Sequence, residues 1–166
     1  MTQKEMLALV RKLVSDEQAT GFTDGGNLEE PEGTQELLNY LDRAVDEYSK
    51  RQAANGDTRL VNSMTINSYN MDLPEGFLMF CGLIPVHVEG NSLYYYGDMV
   101  TPTVKYFARL PYVSSYPETA PLPYEQDQYM TIAALAAIYA LNKHEFNVSQ
   151  DLMLLGYGGS NANAQQ

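Results

Sequence analysis

The chain has 166 residues, 45% hydrophobic and 19% charged, which is enough apolar material for one domain's core and too much for a disordered or collagen-like polymer. Twenty-one acidic residues against ten basic ones give a net charge of −11, the wrong sign for a protein that grips nucleic acid through its phosphates. The single cysteine, Cys81, excludes an internal disulfide, and no Cys/His metal spacing or secretory leader is evident.

Thr2-Gln3-Lys4-Glu5 matches the capping box, in which a Thr oxygen and a Glu carboxylate each satisfy an orphan amide at a helix start. Met6, Leu9, Val10, Leu13 and Val14 then recur at three- and four-residue steps, so an amphipathic helix of three to four turns is expected. From Asp16 to Gly33 the pattern dissolves into an acidic, glycine-rich stretch read as a solvated loop. Its oxygen donors Asp24, Asn27, Glu29, Glu30 and Glu32 do not follow the EF-hand order, so no metal is assigned to them. Thr34 can cap a second helix running to about Ala54, with Leu37, Leu38, Leu41, Ala44, Val45 and Tyr48 on one face.

The middle third changes character. Arg59 to Tyr69 alternates loosely, and Leu73 to Ser114 is dense in aromatic and β-branched residues with Gly and Pro between them, the composition of strands. Val86 to Glu89 and Ser92 to Tyr96 flank Gly90-Asn91, a two-residue hairpin turn. Thr103 to Arg109 is expected to return beside them and complete one small antiparallel sheet. Pro111, Pro117, Pro121 and Pro123 then hold an extended connector. After it the most apolar segment, Glu125 to about Phe146, is expected to be a long central helix on which the first two pack. Its longest apolar run, Met130 to Leu141, is well short of the roughly 20 residues that cross a bilayer. Leu152-Met153-Leu154-Leu155 and Tyr157 form an apolar arm, and 158–166 an uncharged flexible tail. The expected fold is thus α+β but mainly helical: an N-terminal helix pair and a long apolar C-terminal helix with a small antiparallel β insertion at about 60–113. All of it belongs to one domain over 1–157.

Chemistry has little anchor in this pattern. His87 and His144 belong to no metal or catalytic spacing, and Cys81 lies in an apolar segment where a cysteine is a small hydrophobe. A Cys81/His87 nucleophile and base is the weaker, enzymatic alternative. Gly156-Tyr157-Gly158-Gly159 opens no helix and carries no Lys, so it is no phosphate cradle. Thirteen tyrosines, among them Tyr94, Tyr95 and Tyr96, are better suited to a cross-strand ladder or a protein interface than to base stacking, which needs a basic groove.

Three stretches resemble the head-to-tail adaptor (connector) proteins of tailed bacteriophages. They are Leu37-Leu38-Asn39-Tyr40-Leu41-Asp42-Arg43-Ala44 in the helix pair; Leu73-Pro74-Glu75-Gly76-Phe77 followed by Val88-Glu89-Gly90-Asn91-Ser92-Leu93 and Val104-Lys105-Tyr106-Phe107-Ala108-Arg109-Leu110-Pro111; and Leu122-Pro123-Tyr124 ahead of the alanine-rich helix. The resemblance implies a noncatalytic virion protein, made in the bacterial host cytoplasm, without cofactor or metal. It implies a ring, commonly of twelve copies, that docks on the portal protein and presents a surface to the next neck or tail protein, while genomic DNA passes through without specific binding and no membrane is involved. On this reading the Leu152, Met153, Leu154, Leu155 and Tyr157 arm meets the portal, and Tyr94, Tyr95 and Tyr96 meet a neck protein. A stopper or tail-completion protein, such as a tail terminator, is the neighbouring alternative.

Overall fold

In the computed structural model of the chain, which describes residues 1–17, 31–98 and 101–142, the helix start is closed on both sides. Thr2 Oγ1 accepts from the Glu5 amide at 3.2 Å and the Glu5 carboxylate accepts from the Thr2 amide at 2.8 Å. Helix α1 follows over Gln3–Glu17 and buries Met6, Leu7, Val10 and Val14. Helix α2 spans Pro31–Ala54, opening on a proline whose missing N–H costs nothing at a first helical position. The bounds expected for the acidic loop are corrected at both ends: Asp16 and Glu17 end α1, Pro31 to Gly33 begin α2, and 18–30 lie outside the described residues.

The chain divides into two compact units, Met1–Val45 with Tyr112–Gln166, and Asp46–Pro111. In the first, α1 packs on helix α3, Gln126–Asn142. The buried Gln3 amide donates to the Val113 and Tyr116 carbonyls at 3.1 and 3.0 Å, fixing the first turn of α1 to the 3-10 turn Val113–Ser115. Arg11 donates to Thr34 Oγ1 at 2.7 Å, and the Arg43 guanidinium lies 4.2 Å from the centre of the Tyr139 ring. Tyr129 donates to the Leu122 carbonyl at 2.6 Å, which anchors the proline-rich connector to α3.

The second unit holds the last turns of α2 and six strands: β1 Val61–Thr65, β2 Asn70–Asp72, β3 Phe77–Phe80, β4 Val86–Glu89, β5 Ser92–Tyr95 and β6 Thr103–Ala108. They form two three-stranded antiparallel sheets, ordered β1-β6-β3 and β2-β5-β4. In β6, Val104, Tyr106 and Ala108 are buried while Thr103 and Lys105 are exposed, the period-2 signature of a strand with one covered face. Ile66, Leu93, Tyr95 and Val104 centre a core to which both sheets contribute, Met64 and Phe80 from one and Met71 and Val86 from the other. The buried Ser49 hydroxyl of α2 accepts from the Leu110 amide at 3.1 Å, where the chain leaves β6.

These features correct the expected mainly helical fold. The β part is not one small sheet or hairpin but two sheets sharing a core, and Thr103 to Ala108 does not return beside the Gly90-Asn91 hairpin. β6 instead forms the centre of the other sheet, between β1 and β3. The physical reason is burial: a single sheet of β4, β5 and β6 would leave Leu93, Tyr95 and Val104 without a cover, whereas two sheets sharing a core bury all three. Nor is there a long apolar C-terminal helix among the described residues. α3 has 17 residues, Met130 on it is exposed, and α2, amphipathic and charged, is the longer with 24. Lys143 to Phe146, the expected end of that helix, lies outside the described residues.

Candidate interaction surface

Strand parity decides which side chains of the β unit face outward. Leu93 and Tyr95 turn inward, so Ser92 and Tyr94 turn outward, and the register carries this across the sheet. Asn70 and His87 lie opposite Tyr94, and Asp72 and Glu89 lie opposite Ser92. The His87 and Tyr94 rings are 6.2 Å apart. The outer face of β2-β5-β4 is therefore one aromatic row and one acidic row.

The other sheet has a different outer face. Met64, Val104 and Phe80 belong to the core side, which leaves Val61, Phe107 and Met79 in one outward row and Ser63 with Lys105 in the next. Cys81 continues the second row, its amide donating to the Lys105 carbonyl at 2.9 Å. A shallow depression of about 540 Å³ on this face is lined by Thr58, Val61, Ser63, Cys81, Lys105 and Phe107. A second open groove, of about 600 Å³, runs along Leu73, Glu75, Phe77, Leu78, Val88 and Asn91. Its wall is fixed at Gly76, which has φ +71°, accepts from the Arg109 amide at 2.7 Å and leaves only 3.3 Å between a would-be Cβ and the Arg109 carbonyl.

The sequence-derived candidates are distributed unevenly over this framework. Tyr95 is core, only 8% exposed, with its hydroxyl donating to the Asp98 carbonyl at 3.3 Å. Tyr94 is half-buried on the outer face, and Tyr96, just past the end of β5, is 70% exposed. The proposed arm residues Leu152, Met153, Leu154, Leu155 and Tyr157 lie outside the described residues, as does His144. Cys81 and His87 stand on the outward faces of different sheets with the shared core between them, so they do not form a nucleophile and base. Among the described residues no three His, Cys, Asp or Glu side chains are grouped to hold a metal ion, and no helix is long and apolar enough to cross a membrane.

Several exposed residues escaped the reading of the sequence. Leu83, fully exposed in the β3–β4 connection after Gly82, and Met79, 46% exposed on β3, sit in apolar stretches that read as core. Lys105, Asp72 and Glu89 carried a usable signal, since each is a charge set among apolar residues in a strand with one covered face. No family model, curated protein or solved structure matches this chain.

Proposed function

We propose that the protein is a structural component of a phage virion, a head-to-tail adaptor that forms a ring beneath the portal and joins the capsid to the tail. The observation that carries this reading is the Val104 to Pro111 stretch, the most specific piece of the resemblance. Its residues through Ala108 are the strand between β1 and β3, and Pro111 is the last residue of the β unit. A motif that serves as the central strand of its sheet is a motif of architecture, which suits an assembling protein better than a catalyst. Charge supports the same reading: copies carrying −11 each repel phosphate, so a channel built from them lets DNA slide instead of holding it.

In this proposal the partners are other copies of the chain, the portal protein and the next neck or tail protein, and the protein acts in the virion neck. The Leu152 to Tyr157 arm docks on the portal, and Tyr96 is the tyrosine offered to the neck protein. Gold-labelled antibody on virions, viewed by electron microscopy, tests the reading. Label at the vertex where tail meets capsid is expected. Unlabelled particles and detached tails, with the protein abundant in the soluble fraction, would overturn it. For the arm, a chain truncated after Ser149 is expected to lose portal binding in a pull-down; undiminished binding removes that assignment.

A further inference from the structure

The charges carried within the strands of the β unit are sorted by sheet. Strands β1, β6 and β3 carry one charged residue among them, Lys105. Strands β2, β5 and β4 carry two, Asp72 and Glu89, and no lysine or arginine. All three are exposed on outward faces. Asp72 and Glu89 both lie opposite Ser92, one on each side, so their Cα atoms stand about 10 Å apart with a gap between them.

Spacing along the strands matches as well. On one face Lys105 and Phe107 are two residues apart on β6; on the other Ser92 and Tyr94 are two residues apart on β5. Each pair spans about 6.8 Å, so a charged row and an apolar or aromatic row recur at the same interval on both faces. Because the two sheets share one core, their outer faces point away from each other and cannot meet within one copy.

We propose that these two faces are the two halves of a head-to-tail contact between copies of this chain. Lys105 of one copy enters the gap between Asp72 and Glu89 of the next, and Val61, Phe107 and Met79 cover Tyr94 and His87. A contact between unlike faces is heterologous, and repeated with a closing rotation it generates a ring. The occupant is another copy because the one cation within the strands of the first face meets two carboxylates at matching spacing within the strands of the second. This inference rests on the ring-forming reading above and gives that ring its contact; Tyr94 then belongs to the ring and Tyr96 remains for the neck protein.

The test is a reciprocal charge swap in the full chain, read by sedimentation velocity over a wide concentration series at low and high salt. Lys105→Glu makes both faces acidic, and the double substitution Asp72→Lys with Glu89→Lys makes both basic. Each is expected to weaken self-association at least about tenfold, since like charges then face each other. An equimolar mixture of the two is expected to regain it, because every junction again pairs opposite signs. Salt is expected to weaken the wild-type contact. Circular dichroism checks that the variants remain folded; should either unfold, Lys105→Ala and Glu89→Gln replace them and are read for loss of the salt dependence. Wild-type chain that stays monomeric, variants that associate as wild type does, or a mixture that does not recover each overturn the proposal. Vertex label on virions together with any of these leaves the adaptor reading standing and removes only this contact.

Discussion

Gln3→Glu exchanges an amide for a carboxylate of the same shape at a site where both neighbours are acceptors. The Gln3 Nε2 group donates to the Val113 and Tyr116 carbonyls at 3.1 and 3.0 Å, and the residue is 5% exposed. The substitution removes one buried and one part-buried hydrogen bond, about 1 kcal/mol each, and turns a charged oxygen toward two carbonyl oxygens. A loss of at least about 3 kcal/mol at pH 7 is expected in urea unfolding followed by far-ultraviolet circular dichroism. Gln3→Met, which removes the donors without adding charge, is expected to lose about 1–3 kcal/mol. The pH dependence separates the two causes. The introduced carboxyl has a folded-state pKa above its unfolded one, so the folded state binds the extra proton and the penalty is full above the raised value. As pH falls the deficit relative to wild type should shrink, by up to about 1.4 kcal/mol per pH unit, until the unfolded carboxyl also protonates near 4.3. A Glu variant that loses under about 1 kcal/mol at pH 7, or whose deficit is equal at pH 7 and pH 5, would refute this account of the site.

Leu93→Ala empties the fully buried centre of the core between the sheets and is expected to cost about 2–5 kcal/mol in denaturant unfolding; a loss under about 1 kcal/mol means the sheets do not close over it. Gly76→Ala combines a left-handed backbone with a close approach to the Arg109 carbonyl and should cost about 1–3 kcal/mol. Gly90→Ala, with φ +59° and no atom within 4 Å of the new Cβ, should cost less, about 1–2 kcal/mol, and the reverse order in thermal melts would contradict the packing at Gly76. The Asp57 carboxyl is held below the usual aspartate range, chiefly by its hydrogen bond to the Arg59 side chain. Its stabilising contribution is present above the unfolded value of about 3.9 and is lost as pH falls through the folded one, so Asp57→Asn should flatten part of the acid-unfolding curve. An Asn variant as acid-sensitive as wild type excludes that contribution.

What the sequence disclosed and what it hid divide along the range of the interactions. The capping box at Thr2 and Glu5 and the Gly90-Asn91 turn rest on residues within a few positions of each other, and their chemistry is written in one short window. The pairing of β1 with β6 joins Val61 to Phe107, and no local pattern names a partner that far along the chain. β2 has three residues and β3 reads Phe-Leu-Met-Phe, so neither shows an alternation from which a covered face could be inferred. That is why a two-sheet unit passed for a small insertion in a helical protein. At the interaction surface the failure was smaller: given a buried Leu93, parity alone sends Tyr95 inward and Tyr94 outward, so the tyrosine run could have been divided once the hairpin was accepted. Leu83 and Met79 gave no such signal, because an exposed apolar residue and a buried one look the same in a composition.

β3 lies at a border of its sheet and pairs with β6 alone, and its register shifts between Phe77 and Met79. An uncharged Phe-Leu-Met-Phe border strand is the kind of segment that templates amyloid-like stacking, since its free backbone groups would accept any extended chain. The irregularity spoils that template by bending the strand and putting its hydrogen-bonding groups out of step. If the protein is the virion part proposed above, it is synthesised in bulk and must wait, dissolved, for its place in assembly. On that view the irregularity in β3 acts as a solubility safeguard during the interval before incorporation, closing this border to unspecific stacking.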